Sequence, residues 1–234
     1  MTDLILEHSS SSRGKPLILG NLNLHALYVR EVDRDMRQFA EISDLTLIDG
    51  APILVLAEAA RRRRISPSNR IGSTDWLEEL MRRQQAITVT AIGGTARTAS
   101  AASSWAKATN PAVTWHAFDG YGPHITRPSA RLQEAIAASD LVLVALGMPK
   151  QEKWILEHLG LLDGCVVANV GGCLDYFAGE QDLAPRWMGA VGIEWAFRLV
   201  KSPRRLAGRY LIEPFRLVGL VVRRLIRERN ATDG

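Results

Sequence analysis

Apolar residues recur along this chain in two rhythms. Short apolar runs at Leu45–Ile48, Ile87–Ile92, Val113–Phe118, Leu141–Leu146 and Cys165–Val170 read as β-strands. Residues 51–64, 75–83, 95–109, 129–139 and 149–159 lie between or beside them and carry helical spacing. Strands alternating with helices predict an α/β fold, a Rossmann-like parallel sheet flanked by helices. Leu141–Leu146 and Val166–Val170 are apolar throughout, as strands covered on both faces are. From Ala184 the pattern is wholly helical, with Pro203 and Pro214 breaking it into segments. The chain therefore divides into an α/β domain over residues 1–190 and a helical appendage over residues 191–234.

Ligands of parallel sheets bind beyond the carboxyl ends of the strands. The residues that follow the predicted strands are Asp49-Gly50, Gly93-Gly94-Thr95, Asp119-Gly120-Tyr121-Gly122, Gly147-Met148-Pro149-Lys150-Gln151-Glu152 and Gly171-Gly172-Cys173-Leu174-Asp175. Glycine admits close approach of backbone to a ligand, and a helix N-terminus offers free N–H groups to phosphate. Glycine after a strand is also ordinary turn chemistry, but five such ends in one sheet point to a nucleotide or diphosphate. The glycine fingerprint of dinucleotide-binding folds and the Walker A loop are both missing, which disfavours an NAD-type oxidoreductase and a P-loop ATPase.

The appendage changes the electrostatic picture. The chain carries a net +4, yet Arg198 to Arg229 contains ten Lys or Arg against Glu213 and Glu228, a local net of +8. The last helix is predicted to start near Pro214. At about 100° per residue, Phe215, Val218, Val221, Val222, Leu225 and Ile226 share one face, with Arg216, Arg223 and Arg227 on the other. Such a basic amphipathic helix suits the headgroup layer of an anionic membrane. Packing of the apolar face on the body, or on a second copy in a homo-oligomer, fits the periodicity equally. Nucleic acid is disfavoured, because no aromatics interleave the cations. Met1–Lys15 lacks the basic start and long apolar core of a signal peptide, and no run reaches the roughly 20 apolar residues of a membrane span. Cys165 and Cys173 lack metal-site spacing and read as small thiols in a reducing compartment.

Seven blocks in chain order carry a resemblance: Asp49-Gly50; Arg70-Ile71-Gly72-Ser73-Thr74-Asp75; Gly147 to Glu152; Gly171 to Gly179; Ala184-Pro185-Arg186-Trp187; Gly192-Ile193-Glu194-Trp195; and Pro203-Arg204-Arg205 with Arg209-Tyr210. Together, from about Asn21 to Tyr210, they resemble the WecG/TagA/CpsF glycosyltransferases (glycosyltransferase family 26). The resemblance implies an inverting, metal-independent transferase without a cofactor. Its partners would be a UDP-sugar donor and a polyprenyl-diphosphate-linked sugar acceptor at the cytoplasmic face of the bacterial inner membrane, in exopolysaccharide or other surface-glycan synthesis. Asp49 matches the family's proposed base, although Asp-Gly is also a common turn. Arg70, Arg198, Arg205 and Arg209 would stabilise the diphosphate leaving group. Gln151 would bond donor or acceptor hydroxyls, or cap its helix.

Substrate contacts are expected from Asn21, Asn23, Gly93, Gly94, Gly120, Tyr121, Gly147, Lys150, Gly171 and Asp175. Asn21 stands where the family usually has threonine. Asp175 either binds sugar or holds the Gly171-Gly172 loop. Asp33-Arg34-Asp35 matches a donor-metal motif in letters only and reads as a helix cap. Arg61–Arg64 reads as a helix end complementing the dipole, and Trp187 and Trp195 as core or tail-packing aromatics. The family's first strand–helix unit is expected to be shortened or absent, which leaves Met1–Lys15 unexplained by the resemblance. A non-catalytic nucleotide-sugar-binding assembly protein is the alternative function.

Overall fold

Unbroken apolar strands have no polar face to show to water, so their sheet must be covered on both sides. The computed structural model describes residues 1–9, 14–61, 66, 70–185, 187–188 and 193–232, the side chains at 9, 51, 59–61, 205 and 224–232 aside. Among these residues lie strands β1 (Leu17–Leu22), β2 (Leu45–Ile48), β3 (Ile87–Gly93), β4 (Val113–Phe118), β5 (Leu141–Ala145) and β6 (Val166–Asn169). They form one sheet in the order β2-β1-β6-β5-β3-β4, with every pairing parallel. Side chains alternate between two apolar layers. Leu19, Val89, Leu141, Leu143 and Val166 face Trp76, Leu77 and Met81. Ile18, Ile92, Val142, Val144 and Val167 face Phe39, Leu132, Trp154 and Ile155.

Five strands match the predicted runs to within a residue or two, and β1 is an addition. Its Gly20 and Asn21 are residue types depleted in strands. Yet Leu19 pairs with Leu45 on one side and Ala168 on the other. Gly20 is required by close packing, since a Cβ there would stand 2.9 Å from Ser43 Oγ. The N-terminal segment also has a structure. Helix α1 (Thr2–Ser9) buries Ile5 completely and pairs Asp3 with Arg83. Residues 1–9 thus contribute to the core through Ile5, which gives a place to part of the segment that the resemblance leaves unexplained.

Helices α2 (Leu24–Val32) and α3 (Arg34–Ile42) meet at Asp33, whose Oδ1 accepts the Met36 N–H at 2.8 Å, the cap read from sequence. There follow α4 (Ala51–Arg61), α5 (Ser73–Arg82), α6 (Ala96–Thr109), α7 (Ala130–Ala137), α8 (Lys150–Glu157) and α9 (Cys173–Phe177). The appendage comprises α10 (Glu194–Lys201), α11 (Pro203–Ala207), a π-helical turn (Gly208–Ile212) and α12 (Glu213–Thr232). The domain boundary expected at 190/191 lies outside the described residues. From Pro203 onward the helix is unbroken, so Pro214 does not start a separate one. Pro214 has no N–H to give the carbonyl four residues back. The chain passes this point through the π turn, in which Glu213 N–H reaches Gly208 O. The rod packs on α2 and buries Leu206 and Leu217. Among the described residues no helix is long and apolar enough to cross a membrane. Both cysteines are buried, and the Cys165 thiol donates to Ser139 O at 3.2 Å.

Gly93 holds φ +148°, and a Cβ there would collide with the Ala145 carbonyl oxygen. Gly93→Ala is expected to destabilise the fold by about 2–3 kcal/mol. Thermal denaturation should show this as a Tm lower by roughly 4–12 °C.

Candidate active site

Because all strands are parallel, their carboxyl ends share one edge of the sheet. There a cavity of about 1130 Å³ opens, larger than most single-ligand pockets. Asn21 and Asn23 reach it from the end of β1, Asp49 from β2, Gly94 from β3, and Gly120 and Tyr121 from β4. Gly147 and Lys150 follow β5, and Gly171 and Asp175 follow β6. Arg198 and Arg209 line it from the appendage. Twelve of the sixteen predicted site residues thus border one space.

Asp49 is fixed through its backbone N–H, which donates to Leu22 O at 2.9 Å. Burial raises its pKa above the ordinary carboxyl range, and Glu194 and Asp75 push the same way. Arg198 and Arg70 oppose this rise. Arg70 does not line the cavity; its Nη2 donates to Glu194 Oε1 at 3.1 Å. Arg198 lies over the Tyr176 ring, 5.5 Å from its centroid. Burial works against its charge, but Tyr176, Tyr210, Asp49 and Glu194 outweigh that and hold its pKa up.

Arg209 donates from Nη2 to Asn23 Oδ1 at 3.3 Å. The same oxygen accepts the Ala26 N–H at 3.0 Å and caps α2. Burial, aided by Arg198, pulls the pKa of Arg209 down, yet a guanidinium stays charged in water's whole working range. The half-buried guanidiniums of Arg198 and Arg209 thus face a cavity that Asp49, Asp175, Glu180 and Glu213 also line, and an anion bound there would lie against the two arginines. One helical turn beyond Arg209, Glu213 Oε2 lies 2.6 Å from His25 Nδ1. Burial and Arg209 lower the pKa of His25, so a neutral ring protonated at Nδ1 donates to the carboxylate. The appendage is therefore fastened at two points to the N-terminus of α2.

Three predicted residues lie elsewhere. Gly93 sits below the floor against β5. Arg70 acts from beside the cavity, as described. Gln151 is fully buried; its Nε2 donates to Glu152 Oε1 at 2.7 Å and its Oε1 accepts the Gly171 N–H at 3.1 Å. Both amide ends are committed beneath the floor, so Gln151 neither meets substrate hydroxyls nor caps α8, whose cap position is Pro149. The Arg205 side chain lies outside the described residues, as does the Arg61–Arg64 run. Asp175 borders the cavity, and its Oδ2 accepts from Gln181 Nε2 at 2.9 Å. Trp187 is 62% exposed and is no core residue. Trp195 packs on Tyr210 within the appendage at 6.2 Å between ring centroids. His25, Ser73, Tyr176, Glu180 and Glu213 also line the cavity. Periodicity singles out none of them, because their roles arise from contacts between distant segments.

Among known proteins, residues 1–231 match the Glycosyl transferase WecG/TagA/CpsF family. A Bacillus subtilis (strain 168) protein named N-acetylglucosaminyldiphosphoundecaprenol N-acetyl-beta-D-mannosaminyltransferase is 27% identical over 191 residues, 80% of this chain and 73% of the relative. A protein of the same name from Staphylococcus aureus (strain MW2) is 37% identical over 67 residues, 29% of this chain and 26% of the relative.

The raised pKa of Asp49 has a consequence for stability. The stability tied to its protonated form is complete below the unfolded carboxyl pKa and is lost as pH rises through the higher folded value. Asp49→Asn keeps a neutral group at all pH. Its Tm should exceed the parent's near neutrality, and the gap should close toward about pH 4. A lower Tm at neutrality, read by calorimetry, would contradict the dominance of burial at this carboxyl.

Proposed function

The chain belongs to the WecG/TagA/CpsF family of glycosyl transferases, and from that premise we propose that it is an inverting, UDP-sugar-dependent transferase. It moves a hexose or N-acetylhexosamine to a sugar carried on a polyprenyl diphosphate, at the cytoplasmic face of a bacterial inner membrane, in surface-glycan synthesis. The names of the relatives, with an N-acetylglucosaminyl-diphospho-undecaprenol acceptor, support the acceptor class.

The observation that carries the reading is the Asp49 carboxyl set in one cavity with the half-buried Arg198 and Arg209. The acceptor hydroxyl gives its proton to Asp49 as its oxygen attacks the anomeric carbon. The bond from that carbon to the diphosphate breaks, and the electron pair leaves with UDP. Arg198 and Arg209 face the charge that develops there, where preorganised cations act most strongly. Simple nucleotide-sugar binding, the alternative, gives no role to a carboxyl beside the arginines.

The appendage supports a membrane contact. Packing of the predicted apolar face on the body is contradicted by its exposure: Phe215 is 79%, Val218 62% and Val222 47% exposed, while Leu217 faces inward at 5%. An anionic bilayer suits apolar side chains flanked by arginine.

Asp49→Asn is expected to lower kcat by about 10²–10⁴-fold while UDP binding persists. The parent's kcat/KM should fall as pH drops through a value above the ordinary carboxyl range, and turnover by the variant near the parent's rate would rule Asp49 out as the base. The double variant Phe215→Ser, Val218→Ser should bind vesicles of anionic phospholipid about tenfold more weakly, with Tm unchanged. Unaltered co-sedimentation would move the contact elsewhere, and a shift to monomer in ultracentrifugation would assign the face to a second copy.

A further inference from the structure

Beneath the cavity floor lies a set of polar side chains that the proposed transfer chemistry leaves unused. Gln151, Glu152 and Asn169 are 0%, 0% and 1% exposed, between apolar layers. Polar groups so placed are costly unless hydrogen-bonded. Glu152 Oε1 accepts twice, from Gln151 Nε2 at 2.7 Å and from Asn169 Nδ2 at 2.6 Å. The far end of each amide grips a backbone N–H. Gln151 Oε1 accepts from Gly171 at 3.1 Å, and Asn169 Oδ1 accepts from Asn21 at 2.8 Å. A carboxyl oxygen in this position only accepts, and a backbone N–H only donates. Both amides are therefore held in a single orientation, with no alternative flip that satisfies both ends.

The two gripped residues border the cavity at the ends of neighbouring strands, Asn21 in β1 and Gly171 just after β6. The set continues from Asn21 Nδ2 to Ser73 Oγ at 2.7 Å, in the first turn of α5. The preceding Gly72 lies close to Asp49, where an added Cβ would stand 3.6 Å from Asp49 Oδ1. Asn21 Oδ1 is buried and has no partner among the described residues, although Asn21 lines the cavity. The second oxygen of Glu152, Oε2, also has no partner among them. Only one acceptor atom of this carboxyl is thus engaged.

We infer that Glu152 is a positioning residue, whose single engaged oxygen yokes two amides and thereby fixes the ends of β1 and β6 at the cavity floor. Its role is that of an acceptor, not of a charge or a proton carrier. Burial raises the pKa of Glu152 against the pull of its two amide donors, which agrees with an acceptor that works equally well when protonated on Oε2. A glutamine should therefore replace it, and a methionine of similar length should not.

The first test reads the full-length protein by NMR-detected hydrogen exchange. In Glu152→Gln the backbone amides of Asn21 and Gly171 should stay within about threefold of the parent. In Glu152→Met both should exchange at least about tenfold faster, while the amide of Leu143 in β5 does not change. If Glu152→Met does not fold, Asn169→Ala severs one arm alone, and protection should be lost at Asn21 but kept at Gly171. Protection retained at both amides in Glu152→Met, or lost equally at both in Asn169→Ala, refutes the yoke. The second test rests on the proposed sugar transfer. Glu152→Gln should keep the parent's kcat/KM and pH profile, whereas Glu152→Met should lose roughly ten- to a hundredfold. Adding Asn169→Ala to Glu152→Met should cost nothing further, because both cut the same relay. If Glu152→Gln is as impaired as Glu152→Met, the charge is what matters and the inference fails. A parent without transfer on any acceptor would count against the function instead, and hydrogen exchange would still decide the yoke.

Discussion

A carboxyl group taken out of water stays ionised only where cations or hydrogen bonds offset the loss of solvation. Asp49 meets this constraint with cations supplied from outside its own strand. Arg198 comes from the appendage, and Arg70 from the segment that follows α4. Glu194 and Asp75 push against them, and Arg70 is partly spent on Glu194 at 3.1 Å. The ionisation of Asp49 is consequently a property of the assembled site. Removing the appendage from this position would take away Arg198 together with Glu194 and part of the burial itself.

The cavity has a floor and a roof with different energetics. The floor is the edge of a sheet in which both faces are covered by fully buried Leu, Ile and Val side chains. Below it the two amides that meet on Glu152 tie adjacent strand ends. The roof is attached mainly through polar contacts: Arg209 on Asn23, Glu213 on His25, and Lys201 on Asp182 at 2.7 Å. The last of these is exposed, a class of ion pair worth little. Leu206 and Leu217 supply its apolar anchorage. Local stability is therefore lower at the roof than at the floor.

The sequence shows these parts unevenly, for physical reasons. Runs such as Leu141–Leu146 identify themselves, because a doubly covered strand tolerates almost nothing polar. β1 escapes the same reading since Gly20 and Asn21 interrupt its apolar run, although Gly20 is there to let Ser43 approach and the Asn21 side chain donates to Ser73 Oγ. Asp49 and the strand-end glycines are legible from the edge rule of parallel sheets. Gln151 and Glu152 mislead, because polar residues at the start of a helix ordinarily face solvent, and here both are buried. His25 and Glu213 stand 188 residues apart, and no local pattern encodes their contact. Trp187 reads as core by residue type, yet its place in the fold leaves it exposed.

The last helix shows how far periodicity reaches. Phe215, Val218, Val221 and Val222 do share a face, as a repeat of about 100° requires. What the repeat leaves open is which face meets the protein. Leu217, about 200° around from Phe215, is the residue that turns inward. The helix is therefore apolar toward α2 along a narrow line and apolar toward the outside along a broader one. Because α11, the π turn and α12 form one rod, the outward face is mechanically continuous with Arg209, which enters the cavity from the π turn itself. Departures from α-helical geometry of this kind re-aim side chains at functional sites. A force or contact that orients the outward face also orients the guanidinium opposite Asp49. The feature that links the surface of this protein to its chemistry is thus the rod, with Pro214 and the turn before it setting the angle at which the arginine arrives.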